Sequence, residues 1–558
     1  MKMRTPVNLL ELLKDCKDKS CDISALGFIA LFLLLGIITL PQYGLSWDEG
    51  YGNMFFGERY FNYLTTFDSK YLDFNNSDLE IHKRALNLSI SPFRSKPYEF
   101  PAFADTLSAL TMEMFAYKVP LLDPVDAFHL FNVLISGVFL WLLYCFARPR
   151  LGKVTALLAI LLLGTYPRFW GDMHFNPKDI PETIFFSLTI IVFHLWFEKP
   201  SWKRALAVGI LFGLSLSIKA NAIFLPIIIS LIYLPWLFVH RPWKEILADL
   251  RKYQRHFILM ASCALLVHII SWPYLYANPL RLIEYYKYIF FQGDRKSPGW
   301  NMDPLIQSIT TMPEAMLALL FAGLAFTLSR IRSATSPILI MLVLWALFPI
   351  FRNSLPGMVN FDGIRHFEEF LPGACLLAAY GGIRLVEYLS GIKPHLSRLW
   401  FYAIFFLVIG NTANIYIRYW PYGYLYYNSL VGGLEGANRK FAFPEATDYW
   451  GVSYRNGIKW INANAEAKSA IYISVAVWCM GIPKDIWLRK DIMLIPFESI
   501  KKNIKEGHPT YVMFVTRENW YDSVAVFCEK NLFPAHEISV DGLPILKIYL
   551  LPSSVVGP

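Results

Sequence analysis

Long apolar runs without charge restrict the fold of this chain more than any other feature. Ile23 to Leu40 is the first of them and contains no charged residue. A helix of about 20 such residues spans the ~30 Å hydrocarbon core of a bilayer. Nothing resembling an Ala-x-Ala cleavage site follows the run, so we expect a retained span rather than a removed signal peptide.

The composition agrees with many such runs. Of 558 residues, 55% are hydrophobic and 17% are charged, and the mean hydropathy is +0.38. Soluble proteins carry about 25% charged residues. Lys219 and Asn221 form the only polar break in one long apolar stretch, which we divide there. We therefore predict a polytopic α-helical membrane protein with about eleven transmembrane helices. They cover 23–40, 126–147, 154–167, 181–197, 205–222, 223–239, 257–276, 314–329, 335–351, 366–389 and 399–419.

Basic residues predict the orientation, because cytoplasmic segments are enriched in Lys and Arg. The N-terminal tail and alternate short loops hold them: Lys2, Arg4, Lys14, Lys17, Lys19, Arg148, Arg150, Lys153, Lys199, Lys203, Arg204, Arg241 to Arg255, Arg330, Arg332, Lys393 and Arg398. We expect a multi-pass protein of the plasma (inner) membrane with a cytoplasmic N-terminus. The outer face then receives the Asp48 loop, residues 168–180, 277–313, 352–365 and the C-terminal region.

Charge and cysteine usage exclude some classes of function. The net charge is +9, but the basic residues are dispersed among apolar runs, so we expect no nucleic-acid partner. Seven cysteines are scattered without a CxxC pair, which favours buried thiols.

Two parts of the chain differ in pattern. Residues 1–420 form the predicted transmembrane unit, in which the first outer loop, 43–125, contains candidate surface helices at Glu49–Tyr63 and Phe103–Tyr117. Residues 421–558 lack long apolar runs and predict a small extracytoplasmic α/β domain. Its expected helices are Gly451–Ala463, Glu498–Glu506 and Glu518–Asn531, and its expected strands are Ala470–Ala476, Thr510–Thr516 and Ile545–Leu551.

The first candidate for chemistry is the pair Asp48-Glu49, placed where the chain leaves the first span. Two adjacent carboxylates beside a low-dielectric medium are costly, so they favour proton transfer or cation binding. An ordinary polar exit from the membrane is the alternative.

A second candidate is the short outer connection from Tyr166 to Glu182. Asp172 and His174 could share a metal ion or orient each other, and Arg168 and Lys178 could bind a phosphate. Prolines flanking Asp179 restrict its backbone. The alternative is a polar cap held by salt bridges.

Three further segments add polar and aromatic residues to the outer face. The first, Asn360 to His366, could meet an anionic head group through Arg365 and His366, or could reflect interfacial anchoring with Asp362 as a helix cap. The second is a possible lid at 277–313 with Arg295, or an anchoring loop. The third, Trp420 to Gly451, is aromatic enough to stack on sugars, although an interfacial belt is equally typical.

Together these motifs give a resemblance to a known family. The features that carry it are one span followed by Asp-Glu, the Pro167–Asp179 segment, Asp362-Gly363-x-Arg365-His366 and the Tyr422–Gly451 stretch. In these features the chain resembles bacterial members of the protein O-mannosyltransferase and lipid A aminoarabinose transferase group (glycosyltransferase family 39-like). These enzymes have the C-type glycosyltransferase (GT-C) fold. The resemblance covers the whole chain, except that the β-trefoil insert of eukaryotic protein O-mannosyltransferases is absent.

The resemblance implies a sugar transferase that uses a polyprenyl-phosphate-linked donor and inverts the anomeric carbon. It implies Asp48 as catalytic base and Glu49 as a residue that tunes or orients Asp48. Asp172 or Asp179 would match the second-loop acid, and we choose Asp179 because the prolines fix its position. Candidates for binding phosphate or substrate are Arg168, Lys178, Arg295, Arg365 and His366. The acceptor is a glycan, lipid or protein. The resemblance leaves open whether Asp172 and His174 bind a divalent metal. The group that the chain resembles most does not require one.

Two other classes of function compete with this interpretation. A secondary transporter or lipid flippase is one, but transporters place charges near the bilayer midplane and often contain inverted repeats, whereas no repeat is visible here. A non-catalytic scaffold would leave the acidic residues without a purpose.

Overall fold

The computed structural model describes residues 20–73, 101, 103–291, 297–330 and 336–552, with only the backbone of residue 51. Arg295, the N-terminal basic tail, Arg332 and residues 74–100 of the first outer loop lie outside the described residues.

Each of the predicted spans coincides with an apolar helix. The helices are Ser20–Thr39, Pro124–Leu151, Lys153–Gly164, Asp179–Glu198, Trp202–Leu216, Leu225–His240, Trp243–Ile270, Glu314–Arg330, Ile338–Ser354, Leu371–Ile392 and Ser397–Tyr419. The predicted break at Lys219 is confirmed, because a 3₁₀ turn at Ala220–Phe224 separates two of them.

Length divides these helices into two groups. Within the described residues, seven are long and apolar enough to cross a membrane, or eight if Asp303–Thr310 and Glu314–Arg330, bent by 117°, count as one span. The others have 12 to 17 residues. At 1.5 Å per residue they measure about 18–26 Å, less than the hydrocarbon core. The multi-pass membrane fold is thus confirmed, and the number of about eleven spans stays a prediction.

The helix Leu371–Ile392 lies in the middle of the bundle. Its small residues allow close approach to Glu314–Arg330: a Cβ at Gly381 would lie 2.3 Å from the carbonyl oxygen of Leu319, and one at Gly323 would lie 2.1 Å from that of Leu377. Close contact through small residues is typical of helix packing in membranes. Any larger side chain at these two glycines would force the helices apart.

The two ends of the bundle differ in charge. At the end where the first helix begins, Asp22 binds Arg148 at 3.1 Å and Lys153 at 3.0 Å, and Arg150 pairs with Glu198. Asp48 lies beyond the other end of that first helix. The basic residues predicted for one face and Asp48, predicted for the other, therefore lie at opposite ends of one bundle.

The two helices predicted in the first outer loop are present. A π-helical turn, Glu49–Asn53, leads into Met54–Thr66, and the second helix runs from Phe103 to Met112 and continues as a π-helical turn, Glu113–Lys118. They touch at Gly57, where a Cβ would lie 2.4 Å from the carbonyl oxygen of Asp105.

The C-terminal region contains a five-stranded mixed sheet: β1 (Ala470–Ile473), β2 (Met493–Leu494), β3 (Thr510–Val515), β4 (His536–Val540) and β5 (Leu543–Leu550). The order is β2-β1-β3-β5-β4, and β1 runs parallel to β2 and β3 whereas β5 is antiparallel to β3 and β4. Its helices include Tyr454–Asn464, Ile500–Lys505 and Ser523–Asn531. The small α/β domain is confirmed, and the sequence prediction missed β2 and β4.

This domain docks on the bundle through a buried ion pair. Arg455 contacts Asp126 of the helix Pro124–Leu151 and reaches Asp123 at 2.8 Å. Trp487 donates to Asp123 at 2.9 Å and stacks on the Arg455 guanidinium. The connecting residues 421–453 pack their aromatic side chains against Tyr43 and Phe175 of the transmembrane unit. These contacts fix the domain at the end of the bundle that carries Asp48.

Candidate active site

The segment after the first helix lies against the connection to the C-terminal domain. The backbone amide of Trp47 donates to the carbonyl of Trp450 at 2.8 Å, and that of Gly44 donates to Val452 at 3.0 Å. These bonds hold Asp48 at the start of its π-helical turn, with 26% of its side chain exposed. Asp48 is thus fixed by its backbone and open on one side.

Arg365 connects Asp48 with two other carboxylates. Its Nη2 contacts Asp48, its Nε donates to Asp179 at 3.2 Å, and its Nη1 lies 3.4 Å from Asp362. Trp450 covers the guanidinium, 4.4 Å from the ring centroid. A planar guanidinium offers five donors in fixed directions, which lets one side chain serve three acids. The structure therefore brings Asp48, Asp179 and Arg365 together from loops far apart in sequence.

Asp179 is fully buried and has a second cation. Lys219 Nζ donates to Asp179 Oδ1 at 2.6 Å and also to the carbonyl of Arg365 at 2.8 Å. Asn176 donates its side-chain amide to the same carboxylate at 2.8 Å. Lys219 was predicted only as a break between spans, although a lysine in an apolar run indicates a buried partner.

The turn that carries Arg365 has an unusual backbone. Asp362 and Gly363 both adopt left-handed conformations, with φ of 57° and 74°. A Cβ at Gly363 would lie 2.8 Å from Arg168 Nη1, so the turn passes directly over Arg168. Burial raises the pKa of Asp362, while Arg517 and Arg365 act in the opposite direction. Asp362, expected only as a helix cap, thus belongs to the carboxylate cluster.

Glu49 faces away from Asp48. Its Oε2 accepts from the backbone amide of Ser46 at 2.8 Å, and its Oε1 lies 2.9 Å from His129 Nε2, with both side chains fully buried. Glu49 therefore ties the turn to the helix Pro124–Leu151. The expectation that Glu49 tunes Asp48 stays a prediction.

Asp172 and His174 do not fit a shared metal. Both ring nitrogens of His174 are engaged: Nδ1 lies 2.7 Å from the carbonyl of Trp170, and Nε2 lies 2.9 Å from Thr39 Oγ1. Its ring stacks on Tyr43. Burial raises the pKa of Asp172 to about 8, so the neutral acid is favoured. Among the described residues, no group of three or more His, Cys, Asp and Glu could hold a metal ion.

The remaining phosphate candidates occupy different surroundings. Arg168 is buried, donating to Tyr449 at 3.2 Å and lying over the ring of Tyr427. Lys178 is partly buried, and burial lowers its pKa while Asp48 and Asp105 act against this effect. His366 packs on Phe361, and burial lowers its pKa well below the usual range, which favours the neutral ring. Asp48 therefore favours the charged form of Lys178.

The C-terminal domain contributes one cation to the cluster. Arg517 donates to Asp362 at 2.7 Å and to the carbonyl of Tyr449 at 3.0 Å. Its guanidinium lies 4.8 Å from the centroid of Trp47, the neighbour of Asp48. Arg517 was not predicted, because nothing in the pattern of a mixed α/β segment indicates which charge faces the membrane unit.

Comparison with known proteins agrees with this architecture. Residues 122–272 match the model of the family described as Dolichyl-phosphate-mannose-protein mannosyltransferase. No curated protein matches the sequence. Among solved structures, ArnT from Cupriavidus metallidurans bound to undecaprenyl phosphate is similar with a TM-score of 0.50 and 13% identity, covering 96% of this chain and 99% of that one. This match shows a shared fold.

A second solved structure has a lower score. AglB, an archaeal oligosaccharyltransferase from Archaeoglobus fulgidus in complex with an inhibitory peptide and a dolichol-phosphate, has a TM-score of 0.47 and 11% identity. The alignment covers 95% of this chain and 75% of that one.

Proposed function

We propose that this membrane protein with the GT-C fold is a glycosyltransferase that moves a sugar from a polyprenyl-phosphate-linked donor to an acceptor hydroxyl. The transfer takes place on the extracytoplasmic side of the plasma (inner) membrane, inverts the anomeric carbon and uses Asp48 as the base. The cytoplasmic N-terminus follows from the basic end of the bundle. The acceptor is a glycan, a lipid or a protein.

The observation that carries this proposal is the partial exposure of Asp48 beside buried cations. Asp48 is the carboxylate of the Arg365 cluster with the largest exposed fraction, 26%, compared with none for Asp179 and 10% for Asp362. A base must reach the proton that it removes. The two buried acids instead hold Arg365 in place.

The reaction balances with these groups alone. Asp48 accepts the hydroxyl proton as the acceptor oxygen forms a bond to the anomeric carbon. The bond between that carbon and the phosphate oxygen breaks on the opposite face, and the lipid phosphate leaves with the bonding electrons. Arg365 and Lys178 stabilise the charge that develops on the leaving phosphate. No proton is needed on that phosphate, so the site needs a base and cations.

Arg365 has two tasks in this mechanism. Before the donor binds, its Nη2 occupies Asp48. A phosphate is a bidentate acceptor for guanidinium and competes for the same donor. Donor binding therefore draws Arg365 from Asp48 toward the phosphate and leaves the carboxylate free to act as base.

An apolar groove beside the site suits the lipid part of the donor. A cavity of about 430 Å³ is lined by Leu265, Ile269, Leu280, Leu282, Tyr286 and Phe290. The adjacent Tyr285 packs in one cluster with Ala220, the residue after Lys219. A polyprenyl chain lying in this groove would enter from the bilayer and present its phosphate near the Asp179–Lys219 pair.

The test is sugar transfer from a panel of defined polyprenyl-phosphate sugars in proteoliposomes. We expect transfer by the wild type and a loss of about 10²–10⁴-fold in Asp48→Asn. Asp68→Asn is the matched control, since Asp68 lies in the same outer region and pairs with the exposed Lys70. Equal rates in Asp48→Asn and wild type would refute the assignment of the base.

A further inference from the structure

Arg517 joins the C-terminal domain to the carboxylate cluster. It follows β3 and donates through Nη2 to Asp362 Oδ1 at 2.7 Å, while its Nη1 holds the carbonyl of Tyr449 at 3.0 Å. Its guanidinium lies 4.8 Å from the centroid of Trp47 and 5.8 Å from that of Trp520, and the two ring centroids are 5.0 Å apart. These contacts determine the direction in which the guanidinium points.

Asp362 is shared between two arginines. Its Oδ1 accepts from Arg517, and its Oδ2 lies 3.4 Å from Arg365 Nη1. The contact with Arg517 is the shorter one, and the side chain of Asp362 is only 10% exposed. A buried carboxylate interacts strongly with every nearby cation because little water screens it. The carboxylate of Asp362 therefore lies closer to Arg517 than to Arg365, and Arg517 balances part of its charge.

We propose that Arg517 is a positioning residue that keeps Arg365 available for a phosphate by neutralising Asp362. The inference rests on the proposed function, because it assigns a regulator to the same phosphate contact. Without Arg517, the full charge of Asp362 would act on Arg365 and would compete with the incoming phosphate. The C-terminal domain would thus set the affinity of the membrane site for its anionic ligand.

The alternative is that Arg517 only docks the domain. The two roles predict different effects when Arg517 or Asp362 is replaced. Docking has its own buried contacts, in which Arg455 binds Asp126 and Asp123. If the Arg517–Asp362 pair only held the domain, removal of either partner would have the same effect. If the pair adjusts the charge around Arg365, the two removals have opposite effects on the binding of an anion.

The experiment measures binding of unsubstituted polyprenyl phosphate to the full-length protein in nanodiscs by native mass spectrometry. We expect about 5- to 20-fold weaker binding in Arg517→Gln, tighter binding by a similar factor in Asp362→Asn, and near-wild-type affinity in the double variant. Arg517→Lys, which keeps the charge, should fall between wild type and Arg517→Gln. Arg439→Gln, at an exposed pair with Glu435, is the control and should bind as the wild type does.

The outcomes are distinct. Weaker binding in both single variants, or no change in either, would overturn the inference while leaving the proposed function intact. Absence of binding by the wild type would overturn the proposed function and the inference with it. If Arg517→Gln does not fold, the tighter binding expected of Asp362→Asn still tests the inference, because a docking role predicts weaker binding there.

Discussion

The carboxylate of Asp48 and the guanidinium of Arg365 are in direct contact across 317 residues of sequence. One residue follows the first membrane helix, and the other precedes the helix Leu371–Ile392. Their contact places the proposed base beside the proposed phosphate-binding cation.

Replacing Arg365 by lysine should strongly reduce transfer although the charge is kept. One ammonium group cannot reach Asp48, Asp179 and Asp362 in the directions that the guanidinium does. We expect at least about a 100-fold loss in kcat/KM, since a misplaced electrostatic group costs this much or more. Transfer assays on folded protein check this. Arg384→Lys, at a half-exposed pair with Glu387, is the control, and equal losses in both variants would contradict the prediction.

Glu49→Gln should affect stability more than chemistry. Glu49 is fully buried between Ser46 and His129, so loss of its charge weakens two contacts inside the protein. We expect a destabilisation of about 1–3 kcal/mol, read from thermal unfolding in detergent, with kcat reduced far less than in Asp48→Asn. A loss of kcat as large as that of Asp48→Asn, at unchanged Tm, would instead place Glu49 in the chemical step.

Lys219→Met should destabilise the protein strongly. Asp179 is fully buried, and loss of its 2.6 Å partner leaves a poorly compensated charge. Such a deletion costs about 3–5 kcal/mol, whereas removal of both charges costs less. The Tm should therefore fall in Lys219→Met and recover in part in Asp179→Asn/Lys219→Met.

The exposed Lys70–Asp68 pair provides the comparison for this prediction. The two side chains are about half exposed, and Lys70→Met should change stability by no more than about 0.5 kcal/mol. Equal effects at Lys219 and Lys70 would show that the Asp179 pair contributes no more than a surface pair.

Asp105 should make stability depend on pH. Burial raises the pKa of Asp105 to about 7, with the side-chain amide of Asn53 acting against it. The folded protein then keeps a proton that the unfolded chain releases near pH 4. The contribution of this proton to the free energy of unfolding is therefore fully present below pH 4 and is lost as the pH rises to 7. The free energy of unfolding should change by about 4 kcal/mol across this range because of Asp105.

Asp105→Asn tests this directly. The amide that replaces the carboxyl group has no proton to lose in this range, so the Tm of the variant should rise relative to the wild type between pH 4.5 and 7. Asp68→Asn is the control that should follow the wild type. Parallel curves for Asp105→Asn and wild type would show that Asp105 is ionised in the folded protein throughout this range.

Much of the architecture was accessible from the sequence because it depends on local patterns. Apolar runs defined the helices, and the lone polar break at Lys219 marked a real turn. Strand β2 was not predicted because its two residues are too few for an alternating pattern. Strand β4 was not predicted because it begins with the polar residues His536 and Glu537.

The site was accessible only in part. Asp48, Asp179 and Arg365 were expected on one face because they follow or precede predicted spans. Which side chains would pair with one another could not be predicted, because the partners are far apart in sequence. Arg517, for example, reaches Asp362 across 155 residues. The opposite directions of Asp48 and Glu49 depend on the π-helical turn at Glu49–Asn53, which no periodicity predicts. His174 was considered for a metal, whereas its ring nitrogens are occupied by Trp170 and Thr39.

The docking of Arg455 between Asp123 and Asp126 has a consequence for dividing this molecule. A chain cut after the last membrane helix would leave two acids at the start of the helix Pro124–Leu151 without their cation, and would remove Trp450 from the face of Arg365. Each fragment would then expose charges that only the other neutralises. The two halves can be expected to mature together, and separate synthesis should leave the membrane half prone to degradation.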